Sequence, residues 1–190
     1  MNKRISLTAQ AHQFIQCHLN AGEIAIDATI GNGHDTLFLA RQVGEKGLIF
    51  GFDVQQQAID STQTRLNNNL DFKNIILFNT SHENLSKFIP KLHHNKIKTI
   101  MFNLGYLPGN DKTIITQANS TLIALNQAIK LLASNGVITI MAYPGHSGGD
   151  EETKQIKQWC SQLNIDKYVV EQINSSEKDS APVLFTIQKC

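Results

Sequence analysis

Asp27-Ala-Thr-Ile-Gly-Asn-Gly-His-Asp35 sets two glycines between two acids, directly after an apolar run. Gly31 and Gly33 allow a sharp turn and leave the space that a Cβ would fill, so a ligand can approach the backbone. The N–H groups that open the following helix can receive a carboxylate, and Asp27 or Asp35 can accept from an ammonium. The loop therefore suits the amino-acid end of a small molecule. Further along, Asn103-Leu-Gly-Tyr-Leu-Pro108 closes another apolar run. The Asn103 side-chain oxygen and the Leu104 carbonyl can each accept one N–H of a target nitrogen, leaving its lone pair to attack in line. Tyr106 can pack over a flat substrate, and Pro108 with Gly109 supplies a rigid turn. Together the two stretches point to methyl transfer from S-adenosylmethionine to a nitrogen, although the second taken alone also fits an ordinary strand-to-turn exit.

Other polar residues fall where such a cofactor needs them. Asp53 ends the second apolar run and is placed to accept both ribose hydroxyls. Gln55 lies just beyond it, and Ser81 and His82 end the third run at the expected adenine edge. His82 fits equally as a cap for the helix that follows. A nicotinamide dinucleotide is the competing ligand for a glycine loop with a downstream acid, but its fingerprint wants a third glycine where this chain has Thr36. An aliphatic amine must lose a proton before attack, and Asp111 and His146 are the candidate acceptors. His146 belongs to Tyr143-Pro-Gly-His-Ser-Gly-Gly-Asp-Glu-Glu152, which reads as a loop arching over the site or as a flexible connection with a helix cap. His12, His18, His93 and His94 show no metal-ligand spacing, so no metal is expected.

The elements that must position these residues alternate. Strand-like runs at Ile24–Ala28, Leu48–Asp53, Ile75–Asn79, Thr99–Asn103 and Gly136–Ala142 are separated by segments of helical period. Helices are expected over residues 6–20, from Thr36 to Val43, through Ala58–Leu66, and over Leu85–Leu92, Ile114–Leu132 and Gly149–Leu163. Tyr168–Ile173 and Val183–Gln188 are joined only by a polar loop, so that pair should be antiparallel. The expected fold is α/β and Rossmann-like, of the class I methyltransferase type. Its mostly parallel seven-stranded sheet would end in an antiparallel C-terminal hairpin, with helices on both faces.

The chain of 190 residues suits a single domain over 1–190. A net charge of +1 gives no global argument for nucleic acid, so an RNA partner would have to meet a local patch. Lys3-Arg4, the run Lys91, His93, His94, Lys96 and Lys98, and Lys112 are the candidates, and a homodimer would double whichever patch serves. Cys17, Cys160 and Cys190 are far apart and read as free thiols. With no leader-like or membrane-length apolar segment, a cytoplasmic protein is expected and no membrane partner.

Asp27-Ala-Thr-x-Gly-Asn-Gly-His-Asp-Thr36, Phe52-Asp-Val-Gln55, Ser81-His-Glu-Asn-Leu85, Asn103-Leu-Gly-Tyr-Leu-Pro-Gly109 and Tyr143-x-Gly-His146 together resemble a bacterial rRNA-methylase family. Its members are associated with modification of the tRNA wobble uridine. The resemblance spans nearly the whole chain. It implies methyl transfer from S-adenosylmethionine to the amine of 5-aminomethyl-(2-thio)uridine at position 34, giving the 5-methylaminomethyl form, with the tRNA anticodon arm as partner. By motif match Asn32, Asp35, Asp53, Gln55, Ser81 and His82 would contact the cofactor. Asn110 departs from the pattern, where a further glycine is expected. Ribosomal RNA or a small amine remains an alternative acceptor. A non-catalytic binding module is the alternative of another class, and a nicotinamide oxidoreductase a third reading.

Overall fold

Alternating apolar residues build both faces of one sheet. In the computed structural model, which describes residues 5–105, 115–145 and 148–190, five runs pair in parallel: β1 (Ile24–Asp27), β2 (Leu48–Asp53), β3 (Ile75–Asn79), β4 (Ile97–Asn103) and β5 (Leu132–Ala142). β6 (Tyr168–Asn174) and β7 (Val183–Lys189) pair antiparallel, and β7 joins β5. The sheet order is β3-β2-β1-β4-β5-β7-β6, with the reversal of strand order beside β1 and β4. This is the expected α/β architecture, including the antiparallel pair at the end.

Because side chains alternate along a strand, neighbours in sequence enter different cores. Ile26, Phe50, Phe102 and Ile140 pack under α4 (Leu85–Phe88), α5 (Ala118–Leu131) and α6 (Gly149–Ser161). Ala25, Ile49 and Met101 face the other way, against α2 (His34–Val43) and the residues around α1 (Leu7–Gln16). Met141 and Leu184 extend that second face to Leu7 and Ala11 of α1. The helix after β2, α3, spans Gln56–Asn67.

Several boundaries differ from expectation: β5 begins at Leu132 and not Gly136, β4 at Ile97 and not Thr99, α2 at His34 and not Thr36, and α6 ends at Ser161 and not Leu163. Three further differences have local reasons. α1 ends at Gln16, and a turn containing Gly22 at φ 86° leads into β1. The segment expected as one helix from Leu85 to Leu92 is broken by Pro90, which lacks an N–H and crowds the preceding turn. It becomes α4, a link at Pro90 and a 3-10 turn at Lys91–His93. α5 begins at Ala118, after Gln117 in an extended conformation. No helix among the described residues is long and apolar enough to cross a membrane.

Candidate active site

The parallel strands deliver Asp27, Asp53, Asn79, Asn103 and Ala142 to the same edge of the sheet. A cavity of about 500 Å³ opens there, a size typical of small-molecule sites. Gly31, Asn32, Asp35, Asp53, Gln55 and His82 line it. Ser81 and Asn103 complete the expected residues found on its wall. Two expected residues stand behind the wall instead. Gly33, at φ 75°, is held against α3, where a Cβ would come 2.5 Å from Thr62 Oγ1. Asp27 is 1% exposed, accepting from Thr36 Oγ1 at 2.6 Å and from the Thr29 N–H at 3.2 Å. Its burial, then the nearby Asp35 charge, raises its pKa to about 7. Tyr106, Asp111 and His146, and also Lys3, Arg4 and Lys112, lie outside the described residues.

One half of the cavity is organised by Asp53. Its two carboxylate oxygens accept from the Gly31 and Gln55 N–H groups, each at 2.9 Å. Burial raises its pKa, while those N–H bonds oppose the rise. With the Val54 backbone also bonding to it, the carboxylate keeps lone-pair capacity for a ligand hydroxyl. The outer side of the glycine loop is fixed by Arg65, which donates from Nε to the Asn32 carbonyl at 2.7 Å and reaches His34 at 3.2 Å. Across the cavity, Ser81 caps the 3-10 turn His82–Asn84 by accepting from the Glu83 N–H. The capping role considered for His82 thus falls to its neighbour.

His82 is buried, and desolvation lowers its pKa to about 4, opposed by a hydrogen bond to the Ala28 backbone. Its Nε2 has no hydrogen-bond partner among the described residues, so Nδ1 makes the Ala28 contact. The Ala28 N–H already donates to the Met101 carbonyl, which leaves the Ala28 carbonyl to accept from Nδ1–H. Nε2 is then a buried acceptor without a partner among the described residues, on a side chain whose residue lines the cavity. An unmatched buried polar atom costs about 1–3 kcal/mol, a cost that a ligand N–H would remove.

The other half is assembled around Asn103. The Asn103 N–H donates to Thr29 Oγ1 at 2.6 Å, and Asn103 Nδ2 donates to Asp35 Oδ2 at 3.1 Å. The two sequence motifs are thus joined directly. Gly105, at φ 125°, takes a conformation that side-chain-bearing residues rarely adopt. Its N–H donates to Thr116 Oγ1 at 2.8 Å, and its carbonyl accepts from the Thr116 N–H. Thr116 Oγ1 and Thr121 Oγ1 in turn donate to the buried Glu152 at 2.8 and 2.7 Å. Tyr143 also lines the cavity, and its phenol pKa is raised by burial and by the Asp35 charge.

Several of these partners were not singled out from sequence. Thr29 and Thr116 are short hydroxyl residues whose use depends on which strand ends meet. His12 comes from α1, where its Nε2 sits 2.7 Å from Asp35 Oδ1. Its one sequence signal is a place beside the apolar stripe Leu7, Ala11 and Ile15. The basic run from Lys91 to Lys98 lies toward the amino end of β4, whereas Asn103 ends that strand. Six residue steps of strand put about 20 Å between those ends. That run is remote from the cavity. No cluster of three or more metal-ligating side chains occurs among the described residues.

Relatives agree with this geometry. The family described as "Putative rRNA methylase" matches residues 49–189. A chloroplastic tRNA (mnm5s2U34)-methyltransferase of Arabidopsis thaliana is 34% identical over 189 residues, covering 95% of this chain and 68% of the relative. The crystal structure of a putative rRNA-methylase from Clostridium thermocellum superposes with a TM-score of 0.90 at 36% identity, covering 100% of both chains. A putative methyltransferase of Streptococcus mutans, solved in complex with SAH, gives a TM-score of 0.86 at 32% identity over 100% of both chains. With its sheet order, its cavity and these relatives in agreement, the chain belongs to the "Putative rRNA methylase" family and is an S-adenosylmethionine-dependent methyltransferase.

Proposed function

We propose that this enzyme methylates an amine on RNA, and that its substrate is the 5-aminomethyl group of uridine 34 in the tRNA anticodon arm. The product is the 5-methylaminomethyl nucleoside, with or without a 2-thio group. The observation that carries the reading is the fixed amide of Asn103: with Nδ2 committed to Asp35, Oδ1 is the atom left to accept an N–H from the target nitrogen. The Leu104 carbonyl is the second acceptor, and the two leave the lone pair directed at the methyl group. The tRNA wobble methyltransferase among the relatives supports this choice of acceptor.

The residues present fit the cofactor. When bound, S-adenosylmethionine supplies the electrophilic sulfonium methyl. Asp53 would hold the ribose hydroxyls, and His82 Nε2 would accept from the adenine amine with Ser81 and Gln55 beside it. Gly31, Asn32 and the start of α2 would receive the carboxylate. Asp35, on the wall where Asp27 is not, would accept from the ammonium. Tyr106 would pack on the uracil ring, and His146 or Asp111 would take the proton that the amine must lose. The whole chain, 1–190, would act as one domain, and its free thiols would suit the cytoplasm. A homodimer would double whichever basic patch serves the anticodon arm. His34 on the cavity wall, with Arg65 behind it, gives the cavity a nitrogen-rich corner.

The test is nucleoside mass spectrometry on tRNA lacking this methylation, after incubation with the pure protein and S-adenosylmethionine. Loss of 5-aminomethyluridine species with matching gain of the methylaminomethyl form is the expected result. No change, with cofactor binding confirmed, would contradict the substrate and direct the search to ribosomal RNA or small amines.

A further inference from the structure

α1 stands before the first strand of the sheet, yet it supplies a side chain to the acceptor half of the cavity. His12 Nε2 lies 2.7 Å from Asp35 Oδ1, and its ring stacks on Phe38 with centroids 3.8 Å apart and planes 4° from parallel. Carboxylate oxygens only accept, so the imidazole N–H donates. Asp35 turns its other oxygen to Asn103, accepting from Nδ2 at 3.1 Å. Rotating that amide by half a turn would set its carbonyl against the carboxylate, two acceptors with no proton between them. Asp35 therefore selects one of the two amide orientations. It can do so only while its own side chain is held, and His12 is the partner that holds it.

We propose that His12 is a positioning residue for methyl transfer: through Asp35 it keeps the Asn103 amide with Oδ1 toward the target nitrogen. This rests on Asn103 being the nitrogen clamp. In the reversed orientation Asn103 would offer an NH2 group, and the amine lone pair would be drawn to it instead of to the methyl. The Asn103 backbone is tied separately, through Thr29 Oγ1 at 2.6 Å. Replacing His12 therefore frees the amide without releasing the strand end. Asp35 is 7% exposed and the His12 side chain 26% exposed, so the link is partly sheltered from water. The effect should appear in turnover more than in cofactor affinity, in which Asp35 also shares through the ammonium, with RNA affinity retained.

His12→Phe keeps a ring on Phe38 and removes the donor, whereas His12→Gln offers an amide N–H in its place. The expected result for His12→Phe is a kcat lowered roughly tenfold to a hundredfold, as for small misplacements of a reacting group. S-adenosylhomocysteine affinity should fall by much less than kcat, since Asp35 also serves the ammonium. The RNA KM should stay at the wild-type value, and His12→Gln should recover most of the turnover. A second readout needs no turnover: the Asn103 side-chain NH2 resonances, assigned by their loss in Asn103→Asp, should shift in both His12 variants and shift least in His12→Gln. Wild-type kcat in His12→Phe, or equal losses of kcat and cofactor affinity, would overturn the proposal. If the wild-type protein transfers no methyl to aminomethyluridine, the proposed substrate fails, and the amide resonances still decide: no shift in either His12 variant would overturn the link.

Discussion

The glycine loop and the Asn103 clamp face one cavity, but they are held by different kinds of contact. Asp53, which shapes the loop, binds the N–H groups of Gly31 and Gln55, all within the first two strands and their turns. Asp27 likewise spends its carboxylate on Thr29 and Thr36. Asn103 is fixed instead by Thr29 and Asp35 from the loop, with His12 of α1 behind Asp35. Gly105 depends on Thr116, which depends on Glu152 of α6. The dependence therefore runs mostly one way. The Asn103 segment borrows its geometry from the glycine loop, whereas the loop leans back on it only where Asp35 Oδ2 accepts from Asn103 Nδ2.

That asymmetry predicts which substitutions spread. Asp53→Ala removes acceptors from two backbone N–H groups and from the expected ribose contact. Loss of charge-assisted hydrogen bonds of this kind should weaken S-adenosylhomocysteine roughly tenfold to a hundredfold by calorimetry, with methyl transfer at subsaturating cofactor falling alongside. Unchanged affinity would break the assignment of the ribose to Asp53.

A smaller effect concerns stability and pH. Asp27 has a folded pKa of about 7 against an ordinary 3.8, so the folded state binds the extra proton and this group favours folding more as pH falls through that window. His82 works in the opposite sense: its folded pKa of about 4 against 6.5 means that the unfolded state binds the proton, and stability is lost as pH falls from 6.5 toward 4. In the wild type the two oppose each other. Asp27→Asn leaves His82 unopposed, so its melting temperature should fall more steeply than the wild type's on acidification across that range. A parallel pair of melting curves against pH would contradict this.

The same unequal dependence also explains what could be read from residues alone. β2 and β3 occupy the expected residues, and the antiparallel ending follows from a polar loop too short for a crossover helix. Asp53 and His82 could be placed on the cavity wall from residues alone because residues that follow strand ends gather where the strand order reverses. Asp27 looked equivalent to Asp35, yet β1 carries it under the turn, where Thr36 closes over it. No local pattern separates those two acids. His12 was passed over because helical period shows which face of α1 is apolar, not which loop it meets. Distance along β4 was also invisible as direction: the basic run from Lys91 and the Asn103 clamp are neighbours in sequence and lie toward opposite ends of that strand.

The most direct test of this division is Asn103→Ala, measured for S-adenosylhomocysteine binding and for methyl transfer in the same preparation. Transfer should fall by roughly a hundredfold or more, the scale for a lost orienting contact, while the dissociation constant stays at the wild-type value. A dissociation constant weakened as much as transfer would contradict the account, because it would make Asn103 part of the cofactor half.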